Sequence, residues 1–484
     1  MDPETAARLA EARRLDRDQD HGRAVLAYKM VLRRDPGCLD AKVDLAGLLM
    51  ALGRFQEALE LCREVLQARP DDLATSQNLI GALLGLELHE EADATCRRLL
   101  ALDPRCAAAH LGLGTSLDCR GRLAEAEQAF LTARALDPAD RRIRDVLLRT
   151  QFKLRAWDRV RPTWLAMARE TMEGPKALFE EAFIHLTYGD WARGWELYES
   201  RWDAPNKVGP KWDFPQPLWD GSPLPGTLLL HYEQGFGDTL MFIRYAAQAR
   251  ARVGRIAAMV QPHLLPVLAS CAGVDQWFTI DQEPPPFDAH LPLLSLPRVF
   301  GTRPDTIPAP VPYLRAPAGS CPAADAVTPG PNLKVGLVWA GSTIHKHDSL
   351  RTVPVDLLEP LSREPGVDWY SLQVGYEGGL PWPGIRDLGP LLKDFGDTAQ
   401  VLDRLDLLIS VDTAVVHLAG AMGRPAWLLV GLVPDWRWGL DREDSPWYPT
   451  LRIFPQLSHQ NWQDVVARLR LSLNQLMNSR RGTC

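Results

Sequence analysis

A column of alanines limits what the first third of this chain can become. Ala24, Ala58, Ala92 and Ala126 follow one another at intervals of 34 residues. Pro36, Pro70, Pro104 and Pro138 keep the same step, as do Tyr28, Cys62, Cys96 and Phe130, with Leu45, Leu79 and Leu113 in register over three units. Each unit contains two stretches of helical periodicity, for example AKVDLAGLLMALG and FQEALELCREVLQARP. The small column lets two helices approach closely, and the large one fills the gap to the next unit. Proline stops the second helix, because it has no amide proton and clashes with the preceding turn. Units of this kind bury their apolar faces by stacking on one another, so a helical solenoid is predicted.

The period and its columns resemble the tetratricopeptide repeat. Two weaker units are expected after the four clear ones. One covers about 143–174; the other is FEEAFIHLTYGDWARGWELYESRW, with Gly189 at the turn and Trp195 and Trp202 packing. The resemblance implies a groove that holds an extended peptide or a helix, so a protein or peptide partner is expected there. Scaffolding of the rest of the chain and self-association are the alternatives.

At 484 residues the chain exceeds what one core organises, and two or three domains are expected. A net charge of -7 leaves no basic footprint, so nucleic acid is not an expected partner. No apolar run approaches the roughly 20 residues of a membrane span. The start, MDPETAARLAEARRLDRD, reads as an acidic helix rather than a secretory signal. Eight cysteines are scattered without a C-x-x-C pair, which fits buried thiols in a reducing cytoplasm. A cytoplasmic location is the expectation.

The period fails after Trp202. APNKVGPKWDFPQPLWDGSPLPG reads as an ordered linker whose aromatic residues pack onto a domain. Strand and helix patterns then alternate: TLLLHYEQGFGD, TLMFIRYAAQARARVG, RIAAMV, a helix near LLPVLASC, and FDAHLPL. After the proline-rich APAGSCPAADAVTPGPN the alternation restarts with KVGLVWAG, a helix near VDLLEPLS, WYSLQVG, TAQVLDRL, DLLISVD, TAVVHLAGAMG and PAWLLVG. The predicted fold is α+α/β: a repeat array over 1–205, a linker 206–226, an α/β lobe 227–320, a linker 321–332, and a second α/β lobe with tail over 333–484. Ligands of such doubly wound sheets sit beyond the carboxyl ends of the strands.

Two motifs carry a second resemblance. One is Gln234-Gly235-Phe236-Gly237-Asp238 at a strand-to-helix junction. The other is Ser410-Val411-Asp412-Thr413-Ala414-Val415-Val416-His417-Leu418-Ala419-Gly420-Ala421, with Gly423, Pro425 and Gly431 beyond it. Together they resemble the heptosyltransferases of glycosyltransferase family 9, over about 227–470. The combination with repeats is similar to bacterial repeat-containing glycosyltransferases, including a subgroup that modifies flagellin. The resemblance implies a GT-B pair of lobes and a nucleotide-sugar donor as co-substrate, with no cofactor.

It also implies roles for single residues. Asp238 is the candidate base that takes the acceptor hydroxyl proton, with helix capping as its alternative; Gly237 allows close approach of substrate to backbone. Asp412, Thr413 and Ala414 open a helix whose first amides can hold a diphosphate, Asp412 being otherwise the expected N-cap. His417 matches a donor-site histidine, or is a satisfied core imidazole. Ser342, Thr343, Lys346 and Arg351 follow the first strand of the second lobe and fit a cation-and-hydroxyl loop for the leaving phosphates, Arg351 foremost. Gln373 falls where the family contacts the nucleoside, although Gln replaces the acidic residue common there. The tryptophans of Pro434-Asp435-Trp436-Arg437-Trp438 either stack on a ligand or anchor the tail.

No metal site is expected. His345 and His347 beside Asp348 lack a second ligand cluster, and the Asp-x-Asp spacing occurs only at Asp16, Asp18 and Asp20, inside the first repeat. The expected activity is metal-independent, inverting transfer of a sugar to a hydroxyl, with a protein acceptor held by the repeats. The rival readings are an acceptor that is lipopolysaccharide or another glycan, and a non-catalytic adaptor built on a degenerate scaffold.

Overall fold

The computed structural model describes residues 2–204, 211–308, 311–341, 351–458 and 461–481. It divides into two compact units, Met1–Trp164 and Leu165–Cys484.

The first unit is a run of antiparallel helix pairs, among them Leu39–Ala51 with Phe55–Ala68, Leu73–Gly85 with His89–Leu102, and Ala107–Cys119 with Leu123–Leu136. Ala24, Ala58, Ala92 and Ala126 are wholly buried, and Tyr28, Cys62, Cys96 and Phe130 are buried beside them. The four prolines each stand two residues past a helix that ends at Arg34, Ala68, Leu102 or Leu136. A further regularity lies in the backbone. Gln19, Gly53, Glu87, Gly121, Arg155 and Gly189 all have positive φ, between 52° and 80°. They too are 34 residues apart, so the phase of the clear repeats continues through both weaker units.

The last helix pair, Gly174–Thr187 and Trp191–Tyr198, belongs to the second unit. The boundary between compact units therefore falls at 164/165 and not at 205. The reason is packing: Trp191, Trp195, Leu197 and Tyr198 share one buried cluster with the strands and helices that follow.

That second unit contains two parallel sheets. β1 (Leu224–His231), β2 (Val253–Val260), β3 (Gln276–Thr279) and β4 (Ala289–Pro292) form a sheet in the order β3-β2-β1-β4. β5 (Leu333–Val338), β6 (Val367–Ser371), β7 (Arg386–Asp387), β8 (Leu407–Val411), β9 (Ala426–Val430) and β10 (Leu451–Pro455) form the other, in the order β10-β9-β8-β5-β6-β7. Numbered from its own first strand, the larger sheet runs 3-2-1-4-5-6, the doubly wound order with its switch point between β5 and β8. In the smaller sheet the same reversal lies between β1 and β4.

Alternation along the strands sorts the core. Leu333, Val335, Leu337, Leu407, Ile409 and Val411 face the C-terminal helix Trp462–Arg481, while Val338, Leu408, Leu428 and Ile453 face the cluster shared with the smaller sheet. On the smaller sheet's other face, Leu229, Ala257, Met259 and Phe278 are roofed by Trp212, Phe214, Tyr232 and Phe287. Residues 211–223 thus form a strap on the sheet: Trp212 Nε1 donates to the Tyr232 carbonyl at 3.0 Å, and Leu218 bridges His290. Cys321, Ala323 and Ala324 of the second linker are likewise buried.

Candidate functional site

The two motifs noted in the sequence meet. Helix Phe236–Phe242 starts just after β1, and helix Ala414–Ala421 just after β8. They pack so closely that a methyl group on Gly237 would stand 2.8 Å from His417 Cδ2. A residue with a side chain would hold the two helix starts apart.

Asp238 is the third residue of its helix, not the N-cap. The N-cap is Gly235, whose amide donates to Asp238 Oδ2 at 3.1 Å. The other carboxylate oxygen, Oδ1, accepts from Arg437 Nη2 at 2.5 Å. Both oxygens of the candidate base are therefore engaged.

Thr413, not Asp412, is the N-cap of the second helix, and Ala414 its first residue. Thr413 has extended backbone and makes no capping bond through its side chain, although its hydroxyl lies 3.1 Å from Ser410 Oγ. The first amides of a helix have no acceptor within it, and here they lie at the carboxyl end of β8, on the switch point of the larger sheet. Arg351 lies at the same place: its Nη1 donates to the Asp412 carbonyl at 3.1 Å. Ser342, Thr343 and Lys346 lie outside the described residues.

Asp412 is perturbed. Burial, and then the charge of Asp435, push its carboxyl up to about 6, against the pull of Trp438, Arg437 and Arg351. His417 is a buried imidazole with one ring nitrogen in hydrogen-bond contact. Its Nδ1 lies 3.0 Å from the Tyr448 hydroxyl, its Nε2 3.9 Å from Asp412 Oδ1, and its ring 5.1 Å from that of Trp438. Burial, aided by Arg437 and Arg244, holds it well below the usual histidine range, so the ring is neutral at pH 7.

Gln373, expected at the nucleoside, is engaged with the backbone that follows β5. Its Oε1 accepts from the Trp339 and Ala340 amides at 3.1 and 3.0 Å, and its Nε2 donates to the Ala340 carbonyl at 3.2 Å. The amide thus ties down the chain as it leaves β5. A neutral amide suits this position because it both accepts and donates, which a carboxylate cannot do.

Three buried arginines that no sequence motif singles out stand around these residues. Arg437 is nearly buried, pairs with Asp238 and also with Asp435 at 2.8 Å, and stacks over Trp436 at 4.3 Å. Its one signal in the sequence is a cation set between two tryptophans, six residues past Gly431. Arg244 donates to the Trp447 carbonyl and the Tyr313 hydroxyl, each at 3.0 Å, and its guanidinium lies over the rings of Tyr313 and Tyr448. Arg201 makes a two-pronged, fully buried pair with Glu233, at 2.8 and 3.0 Å, and Glu233 also accepts from the Leu294 amide at 3.1 Å. Glu233 stands at the carboxyl end of β1, just ahead of the Gly235–Asp238 turn. No spacing in the sequence links it to Arg201.

Among the described residues no cluster of three His, Cys, Asp or Glu side chains could hold a metal, and no helix is long and apolar enough to cross a membrane.

Tetratricopeptide-repeat family models match residues 17–83, 49–110 and 81–141, so the N-terminal helix pairs are tetratricopeptide repeats. Protein FlbA of Caulobacter vibrioides is 28% identical over 335 residues, which are 61% of this chain and 54% of that protein. The chain therefore spans about half the length of this relative. The aligned span exceeds the first unit, so the likeness extends into the second. Among solved structures, a thermophilic tetratricopeptide-repeat protein from Thermus thermophilus is 20% identical, with a TM-score of 0.32 over 38% of this chain and 99% of that one. The type IV pilus biogenesis factor PilW is also 20% identical, with a TM-score of 0.35 over 42% and 93%. Pseudomonas aeruginosa PilF is 16% identical, with a TM-score of 0.35 over 42% and 92%.

Proposed function

We propose that residues 165–484 form a glycosyltransferase of the GT-B kind, which transfers a sugar with inversion from a nucleoside diphosphate to a hydroxyl, and that the repeats hold the protein bearing that hydroxyl. One observation carries the reading. At the switch point of a 3-2-1-4-5-6 sheet, a guanidinium (Arg351) stands beside the start of the helix that opens at Ala414.

The chemistry follows from charge. As the bond from the sugar C1 to the phosphate oxygen breaks, the electron pair leaves with the nucleoside diphosphate. The growing negative charge is met by the helix amides and by Arg351, which are fixed before the reaction begins. The acceptor oxygen attacks C1 from the opposite face, and its proton passes to the Asp238 carboxylate. This reading needs no divalent ion, because protein cations and amides neutralise the diphosphate.

The acceptor is proposed to be a polypeptide, with flagellin or another surface protein as the first to test. The repeats favour this over lipopolysaccharide, since a helical-repeat surface suits a peptide better than a glycan. Relatedness to Protein FlbA extends past the repeats, which supports a shared repeat-plus-α/β arrangement.

Thermal unfolding with UDP, GDP, ADP and TDP tests the donor site. A nucleotide that binds the native state should stabilise it by roughly 1–3 kcal/mol when present far above its dissociation constant. Arg351→Ala should weaken that binding roughly 10- to 100-fold, the usual worth of a charge-assisted hydrogen bond. If no nucleotide shifts the transition, the adaptor reading replaces this one.

A further inference from the structure

The strongest unassigned group is the guanidinium of Arg437. It is nearly buried at the carboxyl end of the larger sheet, in the segment that follows β9, and two carboxylates share it. Nη2 takes Asp238 and Nη1 takes Asp435. The helix that carries Asp238 packs through Gly237 on His417, whose Nε2 lies 3.9 Å from Asp412 Oδ1, and Arg351 donates to the Asp412 carbonyl, so the Arg437–Asp238 pair and Arg351 belong to one chain of contacts around the helix start at Ala414. The indole nitrogens of Trp436 and Trp447, and Nε of Arg244, are buried without a hydrogen-bond partner among the described residues.

We propose that Arg437 is a second ligand for the donor phosphates, which pairs with Asp238 in this structure and is drawn off that carboxylate when a nucleoside diphosphate binds. This inference rests on the donor-site reading above and adds a residue to it. A phosphate offers a planar guanidinium two parallel acceptors and more charge than one carboxylate. Arg437 can make the exchange without crossing the crevice, because Asp435, its near neighbour in the chain, holds its other nitrogen. The exchange also releases an oxygen of Asp238 for the acceptor hydroxyl. Donor binding and exposure of the base become one event, and an acceptor that arrives first meets an occupied carboxylate.

Binding alone tests this. UDP, GDP, ADP and TDP are titrated by calorimetry into the full chain and into the Asp238→Asn, Arg437→Gln and doubly substituted variants. Asp238→Asn removes the competing charge, so it should tighten the nucleotide that binds wild type by about tenfold. Arg437→Gln should weaken it, and the gain from Asp238→Asn should vanish when Arg437 is also replaced, since the two effects share one contact. Unchanged or weaker binding by Asp238→Asn, with wild type binding normally, overturns the role of Arg437 and leaves the donor site standing. A wild type that binds none of the four overturns both. Should Arg437→Gln fail to fold with two carboxylates left unpaired, the Asp238→Asn measurement still decides.

Discussion

Gly237 and His417 lie against each other, with no room between them for a single methyl group. The contact joins a helix that follows β1 to one that follows β8, and so fixes the separation of Asp238 from the helix start at Ala414. Gly237→Ala should cost about 1–3 kcal/mol through overpacking and should weaken nucleotide binding in the same variant. Gly235→Ala is the control, since its methyl would reach only Asp238 Oδ2, at an ordinary 3.5 Å. Urea denaturation of both variants decides. Equal costs would mean that the close approach is not what matters at Gly237.

Asp412 gives a signed pH prediction. Its folded-state carboxyl titrates near 6 against an ordinary 3.8, because of burial and then Asp435. Between those values the folded state binds the proton more tightly than the unfolded chain does. Stability therefore falls as pH rises through that window and stays lower above it. Asp412→Asn carries no charge to bury, so it should stabilise the protein by about 1–3 kcal/mol at pH 7.5 and by little at pH 4. Urea midpoints at the two values test this. A gain that is the same at both, or a loss at pH 7.5, removes the idea that a strained carboxylate is kept here for its function.

Much of this was legible in the sequence, and the parts that were not share a cause. Columns 34 residues apart mark the helix pairs because each unit repeats one local packing problem. The apolar strands β1, β2, β4, β5, β6, β8 and β9 stand out from their flanks. β3 (QWFT) does not, because polar residues hold both its ends, nor does β7, only two residues long, and β10 follows a tryptophan-rich loop that masks its start. Within the candidate site, Gly237 packs on His417, His417 Nε2 lies 3.9 Å from Asp412, and Arg351 donates to the Asp412 carbonyl. Capping positions were off by one or more residues, because Gly235 and Thr413 take the N-cap with extended backbone. Arg437 on Asp238 and Arg201 on Glu233 were invisible, since a pair made by folding leaves no spacing to read.

The repeat turns offer a test free of the site. Glu87 occupies, with φ 59°, the position that Gly53 and Gly121 fill in neighbouring units. A left-handed residue with a side chain costs about 1 kcal/mol. Glu87→Gly should therefore be neutral to stabilising by up to ~1 kcal/mol, and Gly53→Ala destabilising by about as much. No atom lies within 4 Å of the methyl that Gly53→Ala would add, so its cost would be purely backbone. A Glu87→Gly chain that melts well below wild type would show that this side chain contributes more than its strained backbone costs.

The last helix pair decides where the second unit can be cut. A fragment of residues 165–484 keeps Trp191, Trp195, Tyr198 and Arg201, all of them in its core. It should fold and bind the nucleotide that the full chain binds. A fragment of residues 206–484 loses those side chains and leaves Glu233 buried without its guanidinium. Burial already pushes the Glu233 carboxyl up with Arg201 in place. Removing one partner of a buried ion pair typically costs 3–5 kcal/mol, to which the exposed aromatic surface adds. The shorter fragment is expected to aggregate or to show no cooperative unfolding, and the longer one to behave as a two-state domain in urea. If 206–484 unfolds cooperatively and binds nucleotide as well as 165–484, the helix pair belongs to the repeats in energy as well as in period, and Arg201 holds nothing the site needs.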